Sequence, residues 1–158
     1  MLYKTVGALM LLCSGLWCAR LLNARAEAAL RQAEGMLSLL RAVKLRIDCY
    51  AESLPRILAA LPQQMLADCG CFGDCPPQNF EELLARCALL DGESVAILSE
   101  FSAGFGRGYR EEQVRACGYA IAQMETRRDA LLRSLPSEKK RNVTLCLTCS
   151  LGLAILLF

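Results

Sequence analysis

There is no histidine in the 158 residues of this chain. That removes the side chain most used as a general base near neutral pH, and the commonest metal ligand. Aromatic residues are scarce, at 6%, and no stretch alternates apolar and polar residues as a half-buried strand does. Acidic residues are missing from both ends: all 16 lie between Arg20 and Arg141. Of 18 basic residues only Lys4 falls outside that interval, so the interval holds 17 basic against 16 acidic residues. A nucleic-acid binder concentrates basic charge on one face, and this balance argues against one. Gly104-Phe-Gly-Arg-Gly108 lacks the Lys-Ser/Thr of a phosphate loop and the preceding strand of a dinucleotide loop. It reads as a break between helices. The acidic pairs Glu81-Glu82 and Glu111-Glu112 fall in first helical turns, where capping and the helix dipole account for them. With no nucleophile motif and no cofactor fingerprint, the chain reads as a non-enzyme that takes no cofactor.

What the chain does have is an apolar run at each end. The last 16 residues, Val143 to Phe158, carry no charge. As a helix they measure about 24 Å, against about 30 Å of bilayer hydrocarbon. Asn142 and snorkelling of the preceding lysines supply the rest. Their only polar side chains are Thr, Ser and Cys, which lipid tolerates. At the other end, Thr5 to Ala19 is uncharged and is followed by Arg20, Arg25 and Arg31. A cleaved signal peptide also fits, with Lys4 in front and Ala24-Arg25-Ala26 as a cleavage site. The basic excess downstream favours an anchor that keeps the middle in the cytosol. Lys139, Lys140 and Arg141 impose the same orientation on the last helix. The expected organisation is an N-terminal transmembrane helix over 1–22, a cytosolic domain over 23–141 and a C-terminal transmembrane helix over 142–158. Both termini are then outside.

The middle is helical throughout. From Asn23 to about Glu52 there is no proline, and Leu30, Ala33, Leu37, Leu40 and Ile47 form one apolar stripe. Met36, Leu39, Val43 and Tyr50 form a second, as suits the centre of a bundle. This helix is long enough to continue the N-terminal one without a break. Leu54-Pro55 ends it and opens a short helix to Leu61. Pro62 to Gln78 reads as loop. Asn79-Phe-Glu-Glu82 has the character of a capping box and starts a helix to about Leu90. Asp91-Gly92 is a turn before a helix from Glu93 to Gly104, whose apolar side is Val95, Leu98, Phe101 and Phe105. Tyr109 to Leu135 is strongly amphipathic, with Val114, Cys117, Ile121, Met124, Leu131 and Leu132 inward. Pro136 is expected to stop it. The fold class is all-α: an antiparallel bundle of about five helices, anchored at both ends.

Ten cysteines is a high count, and six lie in the middle. In a cytosolic domain they are reduced thiols; in an exported one they pair as disulfides. Cys69, Cys71, Cys75 and Cys87 are the candidate metal ligands, since four thiolates can hold zinc. Their spacing departs from the two-residue gap of zinc knuckles, and a variable reduced loop is the plainer reading. The exposed charges Arg110, Glu111, Arg127 and Arg128 on the amphipathic helix are the candidate partner contacts.

Three stretches together resemble a known family. The first is Leu39, Leu40, Ile47 and Glu52-Ser-Leu-Pro-Arg-Ile-Leu58, after an apolar N-terminal helix. The second is Leu98-Ser-Glu-Phe-Ser-Ala-Gly-Phe-Gly-Arg-Gly-Tyr-Arg-Glu-Glu-Gln113, with Gly108-Tyr109 where the family has Ser-Asp. The third is Ser137-Glu-Lys-Lys-Arg141 before a terminal apolar helix. In this order they resemble the stage III sporulation protein AB family of endospore-forming bacteria. The resemblance implies a helical domain similar to that of the type II secretion inner-membrane platform protein. It implies a place in the mother-cell membrane around the forespore, within the secretion-like complex linking the two compartments. The implied partners are the secretion-type ATPase stage III sporulation protein AA, other membrane proteins of the complex and the lipid bilayer. Two other readings fit the residues alone: an exported helical protein stapled by disulfides, and a membrane-anchored zinc or redox sensor.

Overall fold

The computed structural model describes residues 2–50, 52–71, 77–88, 91–105 and 108–157, with side chains within helices from residue 6 to 156 except residue 8. All regular structure among them is helical: α1 Leu2–Tyr50, α2 Leu54–Ala59, α3 Gln63–Asp68, α4 Phe80–Arg86, α5 Gly92–Gly104 and α6 Arg110–Leu157. An isolated antiparallel bridge joins Cys71 to Cys87. The chain divides into two compact units, one of residues 1–28 with 132–158, the other of residues 29–131. Both apolar ends belong to the first of these units. Among the described residues no helix is long and apolar enough to cross a membrane. The physical reason is length: both charge-free runs stop short of a full span and are bounded by Arg20 or Arg141.

In the 29–131 unit, Ala33, Met36, Leu37, Leu39, Leu40, Val43 and Ile47 of α1 are all buried. Leu30 is half-buried, and Tyr50 is exposed. Gly35 is where α3 comes closest: a Cβ built there would sit 2.8 Å from the Asp68 backbone carbonyl carbon and oxygen. α3 lies inside what the sequence reads as loop. It has six residues and no side-chain cap, so no local signal announces it. The chain turns two residues past its end, at Gly70, whose φ of 77° is the left-handed conformation that glycine adopts without strain.

The caps read in the sequence are present. Asn79 Oδ1 accepts from the Glu82 backbone N–H at 2.7 Å, and Glu82 Oε2 accepts from the Gln78 N–H at 2.7 Å. That second bond, with the Arg86 guanidinium, holds the Glu82 carboxyl below the usual range. α4 stops at Arg86 rather than Leu90, because Cys87 is extended and takes part in the bridge; Leu89 and Leu90 lie outside the described residues. α5 begins at Gly92 with Asp91 as its cap. Leu98, Phe101 and Phe105 are buried as expected, but Val95 is 40% exposed and Ile97 packs against the core instead. On α6, Cys117, Ala120 and Met124 are buried, while Leu132 is exposed.

Pro136 does not stop α6, which runs unbroken from Arg110 to Leu157. An interior proline removes one backbone donor and crowds the preceding turn, at a cost of about 3 kcal/mol. One lost bond interrupts a helix only where nothing holds its two sides. Here α6 is anchored by core contacts before Pro136 and by α1 after it.

Candidate functional site

The residues 1–28 and 132–158 unit is a pair of antiparallel helices joined along a seam of small side chains. Gly15, Ala19 and Ala154 are buried in it. A Cβ on Gly15 would lie 2.0 Å from Ser150 Oγ and 3.0 Å from the Cys146 carbonyl oxygen, so the backbones meet as closely as glycine permits. Along α6 the seam residues are Asn142, Cys146, Ser150 and Ala154, and along α1 they are Leu11, Gly15, Ala19 and Asn23. The spacing of four on both helices is the small-residue pattern by which apolar helices approach each other in lipid. At the seam's end Asn142 Nδ2 donates to Asn23 Oδ1 at 3.2 Å. One turn further, Lys139 pairs with Glu27 at 2.5 Å. The outward faces are apolar and exposed: Leu9, Met10, Leu16, Trp17 and Leu21 on α1, Leu145, Leu151, Leu153, Ile155 and Leu156 on α6. The sequence reading treated the two ends as separate spans and missed this seam. Its signal was present as Gly15-x3-Ala19 and Ser150-x3-Ala154.

The expected contact residues of the other unit separate into different roles. Arg127 does not face away from the bundle. Its Nε and Nη2 donate to Asp91 Oδ2 and Oδ1 at 2.9 and 2.6 Å, and Nη1 lies 2.5 Å from Glu93 Oε2. Arg127 and Asp91 side chains are only 22% and 14% exposed. A planar guanidinium on a carboxylate is the stronger kind of ion pair, and this one fixes the start of α5 on α6. The Arg127 guanidinium, with help from Ser94, holds the Asp91 carboxyl far below its ordinary value. Arg128 bonds its neighbour Asp129, at 2.9 Å through Nε, which raises its pKa. Arg110 donates to the Asp48 carbonyl and lies 3.5 Å from its carboxylate, closing the C-terminal turn of α1. Glu111 is exposed, on a shallow depression shared with Asp48, Tyr109, Arg110, Glu112 and Arg115. Only Arg110 and Glu111 of the four therefore remain together on an open surface.

Asp91 both caps α5 and binds Arg127, so Asp91→Ala is expected to destabilise the domain by about 2–3 kcal/mol. The pair is also a pH-dependent contribution. A carboxyl whose folded pKa is depressed stabilises fully above its unfolded value and loses that contribution as pH falls through the folded value. In denaturant titrations, the gap between the unaltered chain and Asp91→Asn should be constant from neutral pH to near 3.8, the ordinary carboxyl value, and narrow below it. A gap that narrows at neutral pH would contradict the assignment.

Cys71 and Cys87 are bonded to each other as a disulfide. A sulfur in a disulfide is not a thiolate, so in this state those two do not serve as zinc ligands. Cys69 is buried and free, and burial pushes its thiol up to about 12, away from a reactive thiolate. Cys117 is likewise pushed up, to about 11. Cys75 lies outside the described residues. Among the described residues no three metal-ligating side chains gather. The disulfide lies in a tight clamp: Ala88 N–H donates to the Gly70 carbonyl at 3.2 Å, and Gln32 Nε2 donates to the Ala88 carbonyl at 2.9 Å.

The fold defines a class, a small helical bundle whose first and last helices continue into an apolar helix pair. Comparison with known proteins adds no relative: no family model, no curated protein and no solved structure matches the chain.

Proposed function

We propose that this chain is a non-enzymatic membrane platform component of a secretion-like complex, as its resemblance to the stage III sporulation protein AB family implies. The observation that carries the membrane part is the helix pair with its small-residue seam and apolar exterior. Contiguous exposed apolar surface on this scale needs a cover, and a bilayer covers it on all sides at once. The charge-free runs are about 6–8 Å shorter than the hydrocarbon layer, a mismatch that local thinning and snorkelling basic side chains absorb at modest cost. The bundle of residues 29–131 then presents its surface to a partner. On the family reading that partner is the ATPase stage III sporulation protein AA, with other membrane proteins of the mother-cell membrane around the forespore, and the bundle is cytosolic with both termini outside.

One observation favours a second reading. The Cys71–Cys87 disulfide is of a kind that persists in oxidising compartments and is rare in the cytosol of mesophiles. It supports a bundle held on the outer side, as in the exported, disulfide-stapled protein. One experiment separates the two. A membrane-impermeant maleimide is applied to intact cells and to inverted vesicles, using a variant that keeps only Cys71 and Cys87. Labelling in inverted vesicles alone, without prior reduction, is expected for the cytosolic platform. Labelling on intact cells that requires prior reduction would establish the outside reading and remove the route to a cytosolic motor.

A further inference from the structure

We infer that the base of the helix pair is a collar for anionic phospholipid headgroups, an inference that rests on the membrane reading above. The Asn23–Asn142 contact fixes the register of α1 against α6. That register gathers basic residues far apart in sequence, Arg20 and Arg25 on one helix, Lys140 and Arg141 on the other, all exposed. At about 1.5 Å per residue, these four lie within a band of about 8 Å along the helix axes. One headgroup layer is about 5–8 Å deep, so the band matches it.

The disposition around the pair fits as well. At about 100° per residue, Glu27 and Lys139 fall on one flank, where they neutralise each other at 2.5 Å. The same geometry turns Arg25 and Lys140 outward from the two helices, about 160° from Asn23 and Asn142, and puts Arg141 on the opposite flank. Arg20, seven residues before Glu27, lies on Glu27's side of α1, about two turns nearer the apolar run. The nearest acidic residues are Glu27, already paired, and Glu138, each two residues beyond the edge of the band. A net positive ring directly below an apolar sleeve has the charge complementarity of an anionic bilayer surface. Each basic side chain near such a surface adds to binding, and the effect decays within a Debye length.

The test is flotation of the full chain with vesicles of phosphatidylcholine alone and of phosphatidylcholine mixed with phosphatidylglycerol. Partitioning into the anionic vesicles should exceed that into neutral ones on the order of tenfold or more, and the excess should shrink as salt rises. Replacing Arg20, Arg25, Lys140 and Arg141 by glutamine should remove the excess while binding to neutral vesicles remains. The salt series on the unaltered chain decides the matter even where that variant fails to fold. Equal partitioning of the unaltered chain into both compositions would overturn the collar and leave the helix pair as a membrane element. No partitioning into either would overturn the membrane reading and the collar with it.

Discussion

Phe80→Ala should cost the bundle about 3–5 kcal/mol, a large share of the stability of a domain this size. Phe80 opens α4 and is 2% exposed. Its ring meets Phe101 edge-on at 5.0 Å and Phe105 at 5.7 Å, and those two lie 4.6 Å apart. The three rings join the start of α4 to the end of α5, and edge-on contacts of this kind add about 0.5–1.5 kcal/mol to area burial. α4 has seven residues and buries only Phe80 and Leu83. A helix that short does not persist without packing, so alanine at 80 leaves a cavity and releases the helix. Urea titration followed by circular dichroism should show a lower midpoint, with Phe80→Leu recovering much of the loss. A midpoint shift worth less than about 1 kcal/mol would mean that the aromatic cluster does not hold α4 to the core.

Gly15→Leu should open the helix pair. Ser150 Oγ can rotate away from a new side chain, but Ser150 Cβ at 2.9 Å and the Cys146 carbonyl at 3.0 Å cannot. The helices must therefore separate, and the seam of small residues loses its contacts along its length. The readout is oxidative crosslinking between Asn23→Cys and Asn142→Cys, in vesicles, with the native cysteines replaced. Crosslinking should be efficient with glycine at 15 and fall about tenfold with leucine, since pairing in lipid depends on close backbone approach. Unchanged crosslinking would show that the pair is not closed at Gly15. The same variant should leave the urea midpoint of the bundle within about 0.5 kcal/mol of the unaltered chain, because Gly15 lies in the other compact unit.

The amino-acid sequence by itself determined the helical class, the core stripe of α1, the cap at Asn79 and the uncharged ends with their basic borders. These are local properties. A cap acts over three residues, a stripe repeats every turn, and an uncharged run is read by inspection. What only the tertiary structure decided depends on groups far apart in the chain. Arg127 reads as a solvated charge until Asp91, 36 residues away, is placed beside it. Asn142 reads as the end of an apolar run until Asn23, 119 residues away, receives its hydrogen bond. Cys71 and Cys87 are two of several thiols until an antiparallel bridge brings them within bonding distance. The small residues of α1 and α6 become a seam only once the helices are in register. Pro136 predicts a break from local chemistry alone, yet the helix continues, because contacts on both sides of it outweigh one missing hydrogen bond. In each case the deciding energy is a contact across the fold, and sequence spacing carries no record of that distance.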